Sequence, residues 1–287
     1  MSFVCFVVHL LGKSIWHFRI DPAITWAFLF GGNGATFTLE WRHNMRKTVG
    51  ILGALAVFGI IIFSVRGSEE ARLREIIARA IKAHGGAENL ERLKASVTKI
   101  KGKLLELDYT AENSVQMPDR FRTAAESKLG KLVQIINGDK GWVKLGELSR
   151  ECVKEELPEM REQLNALRIT HLTVLTDKEY KLSPLGEEAI EGRSAIGVRV
   201  EHKGFRDVNL FFDKENGLLL KMQTPIKDPL RGEEISAETL YGDYRDVDGV
   251  MTAHRFTIKF DGKTYNEGEV TEVKYSDTLD ENLFDKP

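Results

Sequence analysis

The 287 residues contain two cysteines, Cys5 and Cys152. One lies in an unusual N-terminal stretch and the other in the body, so the body has no disulfide to make and must be held by its core. At roughly 220 residues it is long enough to bury one. Basic clusters are also missing. Of 41 basic and 43 acidic residues, six basic and two acidic precede Ser68, leaving a body of formal charge −6. Phosphate recognition needs grouped Lys and Arg, so nucleic acid is excluded as a partner.

Metal and nucleophile patterns are missing as well. The body histidines His84, His171, His202 and His254 stand on separate elements, with no HExxH and no Cys-His spacing. "DYRDVDG" has a calcium-loop look, but Tyr244 stands where the first ligand Asp belongs and Arg255 where the closing Glu belongs. There is no G-x-S-x-G elbow, and neither "NGDKG" nor "HGG" forms a strand, phosphate loop and helix in that order. The acidic pairs Glu187-Glu188 and Glu233-Glu234 fall at turns and strand edges, where carboxylates are solvated faces. The chain is therefore read as non-enzymatic, with no cofactor and no metal.

What is present begins with an uncharged apolar run from Thr48 to Val65, preceded by Arg42, Arg46 and Lys47. Eighteen helical residues span about 27 Å, close to a hydrocarbon core. The basic flank keeps that end in the cytoplasm and sends the body across. Val65-Arg66-Gly67 is a weak cleavage site, so a cleaved signal and an uncleaved anchor both fit. No cysteine follows the run, which removes a lipid-anchored reading. Residues 1–44 are short apolar patches broken by "DP" and "GGNG". They read as a non-native or disordered leader, 45–67 as the signal or signal-anchor helix, and 68–287 as one domain.

Within that domain Ser68 with Glu69 and Glu70 caps a helix that ends at His84-Gly85-Gly86, and "AENLERLKA" is a second, short one. From Val97 the apolar period is two. "VTKIKGKLLEL", "TAENSVQM", "DRFRTAAES", "KLVQIING" and "WVKL" read as strands, Glu151 to Thr176 as helix, and Glu179 onward as strands to the end. The turns are short and glycine-bearing, which requires antiparallel pairing. One sheet results, with helical insertions covering one face. In "DVNLFFD", Val208, Leu210 and Phe212 point one way and Phe211 the other; in "GLLLKMQT", Leu218, Leu220 and Met222 alternate with Leu219 and Lys221.

The order of these elements, with "AHGGAENLERLKA", "QMPDRF", "INGDKGWV" and "YRDVDGVMTAHRFTI", resembles the bacterial outer-membrane lipoprotein carrier and sorting proteins over about Glu70 to Pro287. Pro118 and Phe121 match their Pro-x-x-Phe segment, and Gly138 and Trp142 their glycine-to-tryptophan turn. Thr252 or Ala253 replaces a late proline. Met117 stands where those proteins carry an arginine that holds a helical lid, with Arg120 and Arg122 beyond the proline. The resemblance implies an α+β fold: a single large curved antiparallel sheet, an unclosed β-barrel wrapped around helices, preceded by a transmembrane or signal helix. It implies an envelope protein on the periplasmic side, anchored in the inner membrane by the 48–65 helix or released. Its implied partners are lipid or lipoprotein acyl chains, taken up on a concave face lined or bordered by Phe121, Trp142, Val208, Leu210 and Phe212. The alternative is a non-catalytic scaffold or interaction module whose interior is filled by its own helices.

Overall fold

The computed structural model describes residues 69–228 and 232–287. The leader and the 48–65 run lie outside the described residues, and among those described no helix is long and apolar enough to cross a membrane.

Helix α1 covers residues 69–83 and α2 covers Ala87–Arg92. Gly85 between them adopts φ +119, and a Cβ there would lie 2.2 Å from the Gly249 carbonyl oxygen; only glycine supplies both the conformation and the space. Six strands follow: β1 (Ala95–Leu104), β2 (Leu107–Gln116), β3 (Arg120–Ser127), β4 (Gly130–Asn137), β5 (Lys140–Leu145) and β6 (Leu148–Glu151). Helix α3 (Leu157–Thr170) and a 3-10 turn (Thr173–Thr176) lead to β7 (Tyr180–Ile190), β8 (Arg193–His202), β9 (Val208–Asp213) and β10 (Leu219–Lys227). The last strands are β11 (Glu234–Val247), β12 (Val250–Phe260) and β13 (Lys263–Ser276), followed by a 3-10 turn at Glu281–Phe284.

All thirteen strands form one antiparallel sheet, ordered β6-β5-β4-β3-β2-β1-β13-β12-β11-β10-β9-β8-β7. Every neighbour is joined by a hairpin except β1 and β13, which meet with Ala95 opposite Ser276. The sheet is unclosed: β6 and β7 are its free edges, and the chain crosses from one to the other through α3. The α+β architecture read from the sequence is thus the one present.

The helices lie on one face, here called inner. Leu73, Ile77, Ala80 and Ile81 of α1 and Ala166 and Ile169 of α3 share a core with Ile100, Leu104, Tyr109, Val208, Leu210, Phe212, Phe256, Ile258 and Val270. Arg79 ties α1 to the β9–β10 turn, its Nη2 donating to the carbonyls of Lys214 (2.7 Å) and Glu215 (2.6 Å). A second inner cluster joins the far half of α3 to the sheet: Met160, Leu164 and Leu167 against Val115, Phe121, Leu132, Ile136, Val143 and Cys152.

Three details differ from the sequence reading. β6 occupies the start of what reads as helix. A register shift between Leu219 and Lys221 places Leu219 and Met222 together in the inner core. It sends Leu220 outward, to Phe211, Ile190, Ala195 and Leu240. The outer face is consequently not wholly wet. Lys221 is buried there over the Phe211 ring, 4.3 Å from its centroid, with Glu188 at 2.7 Å.

Candidate functional site

The inner face is where the side chains that mark a site converge. Val208, Leu210 and Phe212 stand on it in the main core and Phe121 in the second cluster, all at 2% exposure or less. Trp142 does not join them. It pairs with Ile135 and Glu151, one residue out of phase with Val143, which faces α3, so the pleat turns it to the outer face. There the C-terminal tail packs on β3 and β4, with Phe284 fully buried and its carbonyl accepting from Asn137 Nδ2 at 3.4 Å. No composition or spacing signal in the sequence points to that tail contact.

The interior is closely filled. Among the described residues, two narrow apolar slots of about 20 Å³ each open onto the inner face. One lies under α3, between Gln163 and Ala166 above and Met222, Pro225, Ala237 and Ile258 below. The Oε1 atom of Gln163 is buried there without a partner. The other lies at the hairpin end of β1–β6, lined by Leu104, Leu107, Tyr109, Ala125, Leu132 and Leu145. Leu105, Leu129 and Leu148 stand exposed at the tips of those three hairpins. Deeper along the same strands the inner face turns polar: Asn113, Thr123 and Gln134 form one cross-strand row, all buried, and Gln134 Oε1 is unpartnered.

Helix α3 is clipped down along its flanks by polar contacts. Arg206, in the β8–β9 turn, donates from Nη1 to both oxygens of Glu159 (2.9 and 3.0 Å) and from its backbone N–H to Glu162 (3.0 Å). Burial pushes the Glu162 carboxyl up from its usual range. The backbone N–H of Lys227 also reaches Glu159, at 3.3 Å. Arg161 pairs with Asp139 of the β4–β5 turn at 2.6 Å. Arg150 holds Glu156, just before α3, with two bonds of 2.8 Å. His202 Nδ1 bonds Asn165 Oδ1 at 2.8 Å, its ring stacked between Tyr180 and Phe205. Burial and the Arg168 charge lower its pKa, and because the amide oxygen can only accept, Nδ1 is the donor of that bond.

These anchors replace the arginine expected near the cis Met117–Pro118 bond. Arg120 pairs with Glu281 (3.4 Å) and Arg122 with Glu112 (3.9 Å), both away from α3. Arg206, in the unremarkable turn "HKGFR", carries no sequence signal. Beside α3, between Pro118, Ile136, Gly138, Leu164 and Phe205, lies a pocket of about 290 Å³.

Two more histidines have structural partners. His84 Nδ1 meets the Ala80 carbonyl at 2.8 Å while its Nε2 accepts from Leu219 N–H at 3.4 Å, and burial lowers its pKa. His254 Nδ1 meets the Thr252 carbonyl at 2.9 Å. Among the described residues no three His, Cys, Asp or Glu side chains are grouped to hold a metal.

No family model matches the chain, and no curated protein does. Several solved structures are similar to it. A lipoprotein-sorting protein domain from Vibrio parahaemolyticus is 11% identical, covering 73% of this chain and 94% of that one, with a TM-score of 0.46. A DUF1329 family protein from Desulfovibrio piger is 13% identical over 74% and 96%, also at 0.46. A LolA superfamily protein from Nitrosomonas europaea is 12% identical over 70% and 97%, at 0.44.

Proposed function

We propose that the protein is a non-enzymatic envelope protein that binds an acyl chain, of a lipid or of a lipid-modified partner, between α3 and the inner face of its sheet. The observation that carries this reading is the construction of the cover. Helix α3 contributes no strand pairing, bridges the two free edges of the sheet, and lies over an apolar slot in which it buries an unpartnered Gln163 oxygen. That cover is held by side-chain contacts and not by a backbone ladder, so it can lift without breaking strand pairing. Lifting it exposes Met222, Ile226, Ala237 and Ile258, a surface already apolar. The filled resting interior means that α3 must move before a chain can enter. The periplasmic side follows from the basic flank of the 48–65 run, and its cleavage decides whether the protein shuttles or stays tethered.

The same filling favours a second reading, a scaffold whose interior is permanently its own. Native mass spectrometry of the full chain, purified gently from membranes, separates the two. Co-purified lipid, displaced by a fluorescent fatty acid and lost in Ala166→Phe, which fills the slot, is the expected result. Protein that carries no lipid and binds no fatty acid overturns the first reading.

A further inference from the structure

The 290 Å³ pocket beside α3 has a different character from the slots beneath it. One wall is apolar, made by Pro118, Ile136, Leu164 and Phe205, and the other carries Asn165 and Arg168. Asn165 is 5% exposed. Its side chain lines the pocket, its Oδ1 is engaged by His202, and its Nδ2 is buried with no acceptor. The Arg168 guanidinium, half-buried on the next turn of α3, makes no hydrogen bond or ion pair among the described residues. A buried N–H donor without an acceptor, beside a cation without a counter-ion, is a place prepared for negative charge. The carboxylates at the rim do not fill that role: Asp139 is taken by Arg161 at 2.6 Å, and Asp119 is exposed in the β2–β3 turn. The volume is near the lower limit of small-molecule sites, about 300 Å³, enough for a head group and a few carbons.

We propose that this pocket binds a phosphate or carboxylate group attached to an apolar body, with Asn165 Nδ2 and the Arg168 guanidinium as donors and Phe205 and Leu164 against the body. It stands on residues outside the acyl slot and holds whether or not that slot is used.

The test is phosphorus NMR line broadening of inorganic phosphate and of butyl phosphate by the full-length protein, with butanol as a neutral competitor. Both anions are expected to broaden. Arg168→Gln weakens binding at least tenfold, Asn165→Asp abolishes it, Asp119→Asn tightens it a few-fold, and Glu147→Gln leaves it unchanged. Tighter binding of butyl phosphate than of inorganic phosphate sustains the proposal; equal affinity shows that the apolar wall contributes nothing and overturns it. The proposal is overturned if neither anion broadens, if Arg168→Gln binds like the parent, or if butanol competes as well as butyl phosphate. Arg168 lies on the surface side of α3, so this result stands even if Asn165→Asp fails to fold. Fatty-acid binding that survives Arg168→Gln separates failure here from failure of the slot.

Discussion

Replacing Arg206 by alanine removes both contacts that its guanidinium makes to Glu159 and leaves that carboxylate half-stranded, with only the Lys227 N–H at 3.3 Å. The two side chains are 21% and 15% exposed. Exposed pairs contribute about 0–1 kcal/mol, whereas breaking a buried one costs about 3–5; a pair this sheltered falls between, at about 1.5–3 kcal/mol. Spread over the whole domain, that would lower the melting temperature by about 3–12 °C. Because α3 takes no part in the strand ladder, the loss should instead concentrate there, as an opening of the helix 10- to 100-fold more frequent at about 1.4 kcal/mol per decade. Hydrogen exchange followed by mass spectrometry on peptides of 157–170, against peptides of β11 and β12, reads this directly. Lys181→Ala, which removes an exposed pair with Glu201, is the control and should leave α3 unchanged. The reasoning fails if Arg206→Ala lowers the melting temperature while α3 exchanges no faster relative to the strands, or if nothing changes at all.

Three more predictions follow from particular contacts. Cys152, packed 3.7 Å from Met160 of α3 and with a thiol pushed by burial to about 11, is about one part in a thousand thiolate at pH 8; iodoacetamide should modify it slowly in the native protein and faster in Arg206→Ala. Gly268→Ala places a Cβ 2.2 Å from Cζ of the fully buried Phe256 and should destabilise by about 1–3 kcal/mol, partly restored by Phe256→Leu in chemical denaturation. Glu272, beside Lys274 and Lys99, has its carboxyl lowered from 4.5 to about 2; its contribution is complete above pH 4.5 and fades as the pH falls toward 2. Glu272→Gln should therefore flatten the acid limb of the stability profile, and high salt should reduce the difference, since both its pairs lie at the surface.

The strands were legible because their inner and outer residues alternate without interruption. Val208, Leu210 and Phe212 could be assigned to one face from "DVNLFFD" alone, and that face is the covered one. Where alternation breaks, the reading fails. The shift at Leu219 to Lys221 leaves no trace in "GLLLKMQT", in which every residue but one of the central five is apolar. β6 has four residues, with Leu148 exposed at 79%, too short and too wet to show a period. Trp142 is placed inward by the resemblance, yet its parity is opposite to that of Gly141 and Val143, and which parity faces α3 depends on the pairing partner. The latch was illegible for another reason: Arg206 meets Glu159 across 47 residues, a contact made by folding and not by local pattern.

The pairing of β1 with β13 constrains how the chain reaches this state. Two meanders, β1 to β6 and β7 to β13, can each grow hairpin by hairpin from local contacts, but the ladder between them joins Ala95 to Ser276. Until the last strand exists, β1 presents an unpaired row of backbone groups at what will become the middle of the sheet, an edge on which other chains can pair. Contacts of such sequence separation are slow to form. The final strand is therefore the suture of the molecule: a chain lacking β13 keeps two half-sheets with no backbone ladder between them, joined only through the helices packed on both.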